Sequence, residues 1–293
     1  MVPRLLTLAL IAALAPAACS SANAGGDRAQ SSDVPAPAVV QDTALPADAE
    51  TARQRLDASP RHGEYVMIPA GRDSLRAWVV YPERSTPAPV VLVVHEIFGL
   101  SHWIRAVADQ LAAEGFIAIA PDLLTAHGIP TDENGEPVRE QATAAIRALD
   151  PAVYHPQLVA VAEWGMALPA ASDSYGIVGF CWGGSASFRH AIESASVDAA
   201  VVYYGSSPDT ALLARVNAPV LGLYGGDDAR VNATVPPAAA VLERLGRPFE
   251  PHMFEGAGHG FLRQQSGRDG ANLTASRQAW PLTIRFFREH LDG

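Results

Sequence analysis

From Gly63 to the C-terminus, short apolar and β-branched runs alternate with longer amphipathic ones. That alternation leaves few folds open. Candidate strands are Glu64–Ile68, Arg76–Tyr81, Val90–His95, Phe116–Ala120, Gly176–Phe180, Ala199–Tyr204, Val220–Tyr224 and Glu250–Phe254. Several are apolar throughout, as strands covered on both faces must be. Candidate helices are Trp103–Glu114, Val138–Ala148, Pro156–Ala167, Gly183–Ser194, Pro237–Leu245 and Ala271–His290. In the first of these, Ile104, Val107, Ala108 and Leu111 share one face, and Gly115 supplies a stop. Strands alternating with helices imply an α/β domain: one mostly parallel, eight-stranded sheet flanked by helices, spanning residues 61–293. Thr131–Pro137 is polar and turn-rich, which predicts a surface loop.

The residues before this domain have another character. Arg4 followed by the apolar stretch Leu5–Leu14 reads as an export signal, too short for a comfortable membrane span. Two processing routes are open. Ala22-Asn23-Ala24 would release a soluble protein, with residues 1–24 as signal peptide. Ala17-Ala18-Cys19 resembles a bacterial lipobox, in which residues 1–18 are removed and Cys19 is acylated as a membrane tether. Either route predicts an exported protein, periplasmic or membrane-anchored. Residues 25–60 are rich in Ala, Pro, Ser, Asp and Gln and predict a flexible linker, with Thr51–Leu56 able to form a helical turn or two.

Charge and residue inventory narrow the chemistry. With 21 basic and 31 acidic residues, the formal net charge is −10. No basic excess exists to displace counterions, so nucleic acid is not an expected partner. Every basic residue is Arg, which removes all lysine chemistry. The two cysteines, Cys19 and Cys181, are too few for a structural zinc site or a disulfide framework, and no cofactor motif is present.

The strongest local signal is Gly179-Phe180-Cys181-Trp182-Gly183-Gly184, set between a strand and a helix. This is the G-x-nucleophile-x-G pattern of a nucleophile elbow, where a tight turn excludes bulky Cβ groups beside the reactive residue. It places Cys181 at the amino end of a helix, whose dipole favours a thiolate. A base and an orienting acid should follow in chain order. His259, in Gly256-Ala257-Gly258-His259-Gly260-Phe261 after the last strand, is the best base among nine histidines. The acid is Asp227 or Asp228, adjacent in Gly225-Gly226-Asp227-Asp228, and composition does not separate them. His95-Glu96-Ile97-Phe98-Gly99 follows another strand, so Glu96 lies at the rim where such sheets bind ligands. The Ile97 and Trp182 backbone N–H groups could form an oxyanion hole, and His95 reads as packing or support.

Taken together, HEIFG, GFCWGG, AGHGF and Ala120-Pro121-Asp122-Leu123 resemble the dienelactone hydrolase (carboxymethylenebutenolidase) family of α/β-hydrolases, from about Gly63 to the C-terminus. The resemblance implies an α/β-hydrolase fold and cleavage of an ester or lactone. It implies Cys181 as nucleophile, Asp228 as the acid, His259 as base, and Glu96 as the group that holds the resting thiol. It also implies that Arg263 binds a substrate carboxylate. The family's second carboxylate-binding arginine follows the Pro-Asp-Leu segment. Here Leu123–His127 contains none, so the resemblance carries the reaction class and not dienelactone itself. A generalist carboxylesterase or thioesterase, and a non-catalytic periplasmic binding protein on a degenerate hydrolase fold, are the rival readings.

Overall fold

The computed structural model describes residues 42–292. The signal, the lipobox with Cys19, and the linker as far as residue 41 lie outside the described residues.

Eight strands form one sheet among the described residues: Gly63–Ala70 (β1), Asp73–Val80 (β2), Ala88–Val94 (β3), Ile117–Pro121 (β4), Ala171–Phe180 (β5), Ala199–Tyr203 (β6), Val220–Gly225 (β7) and Phe249–Phe254 (β8). Their order is β1-β2-β4-β3-β5-β6-β7-β8. β1 and β2 pair antiparallel, as do β2 and β4; every later pairing is parallel. All eight expected strands are present. β3, β4, β6 and β7 are buried at every position. That explains their unbroken apolar runs, since helices cover both faces.

The helices are Ala52–Asp57 (α1), His102–Ala113 (α2), Arg139–Ala148 (α3), Pro151–Met166 (α4), Trp182–Glu193 (α5), Ala229–Asn232 (α6), Val235–Arg244 (α7) and Ala271–Leu291 (α8). α1, α2 and α8 pack on one face with Trp103, Phe180, Tyr203 and Phe287. α4, α5 and α7 pack on the other with Leu158, Ile177, Phe188 and Leu242. The predicted loop Thr131–Pro137 is closed by a single β-bridge between its ends.

Two expectations need correction. The helix expected from Pro156 begins at Pro151, because Asp150 caps it, its side chain accepting from the Ala152 N–H at 2.9 Å. Proline is well suited to the first helical position, and Pro156 then sits inside the helix. The linker expected to run to residue 60 is also too long. Leu45, Ala47 and Ala52 are buried in the main core, and α1 packs against α2. Among the described residues, the core takes in the chain from Leu45 onward.

Candidate active site

β5 ends at Phe180 and α5 begins at Trp182, leaving Cys181 alone in the turn. Its φ is 56° and its ψ −113°, a conformation that costs a non-glycine residue about 1–3 kcal/mol. The crossing of strand and helix is tight enough to require the two flanking glycines. A Cβ at Gly179 would lie 1.8 Å from the Gly183 carbonyl oxygen. A Cβ at Gly183 would lie 2.4 Å from the Val94 oxygen and 2.5 Å from the His95 oxygen. The elbow is therefore pressed onto the end of β3 and its following loop. It is also tied to β6, because the Cys181 N–H donates to the Tyr203 carbonyl at 3.0 Å.

The two aspartates separate cleanly. Asp228 follows β7, is buried, and accepts from His259 Nδ1 at 2.5 Å. Asp227 points away and pairs with Arg268 at 2.7 Å on the surface. A Cβ at Gly225 would lie 2.5 Å from the Gly258 oxygen, so the loops bearing Asp228 and His259 are in direct backbone contact. Tyr204 links these loops to the elbow. Its ring meets the His259 ring edge-on, centroids 5.1 Å apart. Its phenol is pushed well above the ordinary tyrosine range by burial, then by Glu96 and Cys181. Tyr204 has φ 41° and its buried hydroxyl has no partner among the described residues. The sequence reading passed over it, although Tyr203-Tyr204-Gly205 ends a strand at the same rim.

Glu96 is buried on the β3 side. Burial raises its carboxyl to about 7, against the opposing pull of Arg263 and then Arg139. Arg263 Nε lies 3.0 Å from Glu96 Oε2, an ion contact in which the N–H does not point squarely at the oxygen. Arg263 is thus engaged with Glu96. Its guanidinium also sits 5.0 Å from the Phe98 ring centre, and that of Arg139 sits 4.1 Å from the same ring. Arg139, the first residue of α3, is a second site arginine that the sequence reading did not find. Together with Phe98 and Trp103, the two arginines line a cavity of 240 Å³.

His95 is fully buried and supports this loop. Its Nε2 accepts from the Leu123 N–H at 3.3 Å, which leaves Nδ1 to donate to the Glu96 carbonyl at 2.9 Å. Burial pulls its pKa down, so the ring is neutral. The Pro121-Asp122-Leu123 segment and the His95–Gly99 loop are joined through this ring. Ile97 and Trp182, the expected oxyanion donors, both pack against the cluster of Leu124, Ala142 and Ile146.

The electrostatics differ from expectation at the sulfur. Burial, and then the Glu96 charge, push the Cys181 thiol up to about 11. The Trp182 backbone N–H and then the Arg230 charge pull the other way without cancelling this shift. The helix terminus is outweighed, and the resting group is a thiol. No hydrogen bond joins Cys181 to His259 among the described residues. Nor do any three His, Cys, Asp or Glu side chains among them converge as metal ligands would.

A mostly parallel eight-stranded sheet with a strained residue on the β5–α5 elbow, and an Asp–His pair on the loops after β7 and β8, defines an α/β-hydrolase. Residues 75–291 match the model of the dienelactone hydrolase family, and the chain belongs to that family. It is a carboxylic-ester hydrolase by that membership. It is 32% identical over 235 residues to a Salmonella typhimurium protein named "Putative carboxymethylenebutenolidase", covering 76% of this chain and 86% of that one. It is 34% identical over 195 residues to a Pseudomonas putida carboxymethylenebutenolidase, covering 64% and 81%. Among solved structures, it resembles a dienelactone hydrolase, described as putative, from Klebsiella pneumoniae. The TM-score is 0.69 at 28% identity, covering 78% of this chain and 98% of that one.

Proposed function

We propose that the chain hydrolyses an ester or lactone through Cys181, His259 and Asp228. What supports this reading is the strained elbow at Cys181 after β5 together with the Asp228–His259 pair on the loops that follow β7 and β8 of the same sheet. The resting thiol makes no hydrogen bond to His259 among the described residues, and burial with the Glu96 charge keeps it protonated. Reaction therefore begins with rotation of the sulfur toward His259 as substrate displaces Glu96. His259 takes the thiol proton, and the thiolate adds to the carbonyl carbon. The Ile97 and Trp182 N–H groups hold the oxyanion; one such donor is typically worth about 100- to 1000-fold in rate. The carbon–oxygen bond then breaks, and the alkoxide leaves with the proton from His259. Water attacks the thioester as His259 takes its proton, which returns to the sulfur as the acid departs. Asp228, bonded to Nδ1, keeps Nε2 turned toward the chemistry.

Arg263 and Arg139 favour a substrate that carries an anionic group beyond the scissile bond. Arg139 supplies the second guanidinium that Leu123–His127 lacks. The decisive experiment is a panel of lactones and p-nitrophenyl esters run on wild type and Cys181→Ala. Turnover should fall at least 1000-fold in the variant; wild-type turnover by Cys181→Ala would remove Cys181 from the mechanism.

Export is part of the same reading and is supported by Arg4 and Leu5–Leu14. Intact mass of the protein recovered from cells separates an acylated Cys19 start from an unmodified Gly25 start. A chain still beginning at Met1 would contradict export.

A further inference from the structure

The family match begins at residue 75, yet residues 45–50 are built against the cavity that Arg139 and Arg263 line. Leu45 and Ala47 are each 2% exposed and share a core with Trp103, Phe261 and Leu262. Backbone groups of this short segment are bonded to the parts that carry the pocket. Trp103 Nε1 donates to the Ala47 carbonyl at 3.0 Å. Gln265 Nε2 donates to the Pro46 carbonyl at 2.9 Å and to the Leu262 carbonyl at 3.0 Å, stapling the segment to the chain after His259. The Ala49 N–H donates to the Arg263 carbonyl at 3.0 Å. Ala49 itself lines the 240 Å³ cavity beside Phe98, Arg139 and Arg263.

We propose that residues 45–50 form a wall of the substrate site: their backbone fixes the position of Arg263, and Ala49 limits the group that the cavity admits. The inference rests on the hydrolase reading. It adds that an N-terminal segment outside the matched domain sets specificity. The group admitted is compact and anionic. The two carboxylates that line the cavity are already engaged, Asp132 with the Asn134 and Glu136 N–H groups and Glu136 with His102. Arg139 makes no ion pair among the described residues and stays available.

The test uses the full-length protein and two readouts. The first is the alkylation rate of Cys181 by iodoacetate relative to iodoacetamide, with peptide mass mapping to separate Cys181 from Cys19. This ratio reports how readily an anionic reagent is drawn past Arg263 and Arg139 to the sulfur, over an Arg230 contribution that the variants leave in place, and it needs no turnover. Ala49→Pro removes the N–H that holds the Arg263 carbonyl, and Gln265→Leu removes the staple while keeping side-chain bulk. Each should lower the ratio about fivefold; Gln265→Leu carries this arm if Ala49→Pro does not fold. The second readout is kcat/KM for mono-p-nitrophenyl glutarate relative to p-nitrophenyl acetate. Ala49→Phe should lower that ratio about tenfold, mainly through KM. Ratios within twofold of wild type in folded variants would overturn the proposal. A wild type inactive on every ester would instead remove the hydrolase reading, and the alkylation arm would still decide whether the segment positions Arg263.

Discussion

At the residue scale the controlling pair is Cys181 and Glu96. A thiol near 11 is almost wholly protonated at neutral pH, and the Glu96 charge is the second contributor after burial. Glu96→Gln removes that charge, so the thiolate fraction at a given pH rises. Alkylation of Cys181 by iodoacetamide at pH 8 should become roughly tenfold faster. A slower or unchanged rate would mean that Glu96 does not hold the thiol back. The residue types of this site were legible because the chemistry restricts them. Cys181 and His259 stand in glycine-flanked turns that few other constraints produce. The choice between Asp227 and Asp228 was not legible from composition. It depends on which of two neighbouring carboxylates faces the imidazole, and Arg268 occupies the other. Arg139 was hidden for a similar reason: a stacking contact with Phe98 draws it in from the start of a distant helix.

At the scale of elements, the strand–turn–helix unit of β5 and α5 shapes the site. It works only because two backbones meet where a side chain would stand. Gly183→Ala would force its Cβ onto the Val94 and His95 carbonyls. The β3 loop and α5 must then separate, at a cost of about 3 kcal/mol. A thermal melt should show the loss, and ester turnover should fall about 100-fold as Ile97 and Trp182 move apart. Retained turnover with a normal melt would mean the crossing is looser than its geometry. The central strands could be read from sequence because parallel strands covered on both faces are apolar throughout, as in Ala88–Val94. The start of α4 could not be read as easily. Pro156 suits a first helical position, but the Asp150 cap sets that position at Pro151.

At the scale of the whole molecule, the chain folds around more than its family domain. Leu45→Ala should destabilise the protein by about 2–3 kcal/mol, although its neighbourhood has the composition of a linker. Composition misled here because the attachment uses few apolar side chains and several main-chain groups, at Pro46, Ala47 and Ala49. Stability should also carry the signature of the buried Glu96. Its carboxyl rises from 4.5 to about 7 on folding, so between these values the folded chain keeps a proton that the unfolded chain releases. Its contribution is therefore full below pH 4.5 and is lost as pH rises through 7. Relative to wild type, Glu96→Gln should gain stability between pH 5 and pH 8. The change in their Tm difference should be a few degrees, since about 1 kcal/mol moves Tm by about 2–4 °C at this size. A flat difference would mean that Glu96 stays solvated.

All three scales meet in the sulfur of Cys181, and one measurement addresses it directly. Wild-type protein is mixed with p-nitrophenyl acetate, quenched in acid within the first turnover, digested and weighed. The account predicts one acetyl group on the peptide containing Cys181, formed as p-nitrophenol is released and lost as acetate appears. Turnover with no acyl group on that peptide, or with the acyl group on another residue, would contradict it.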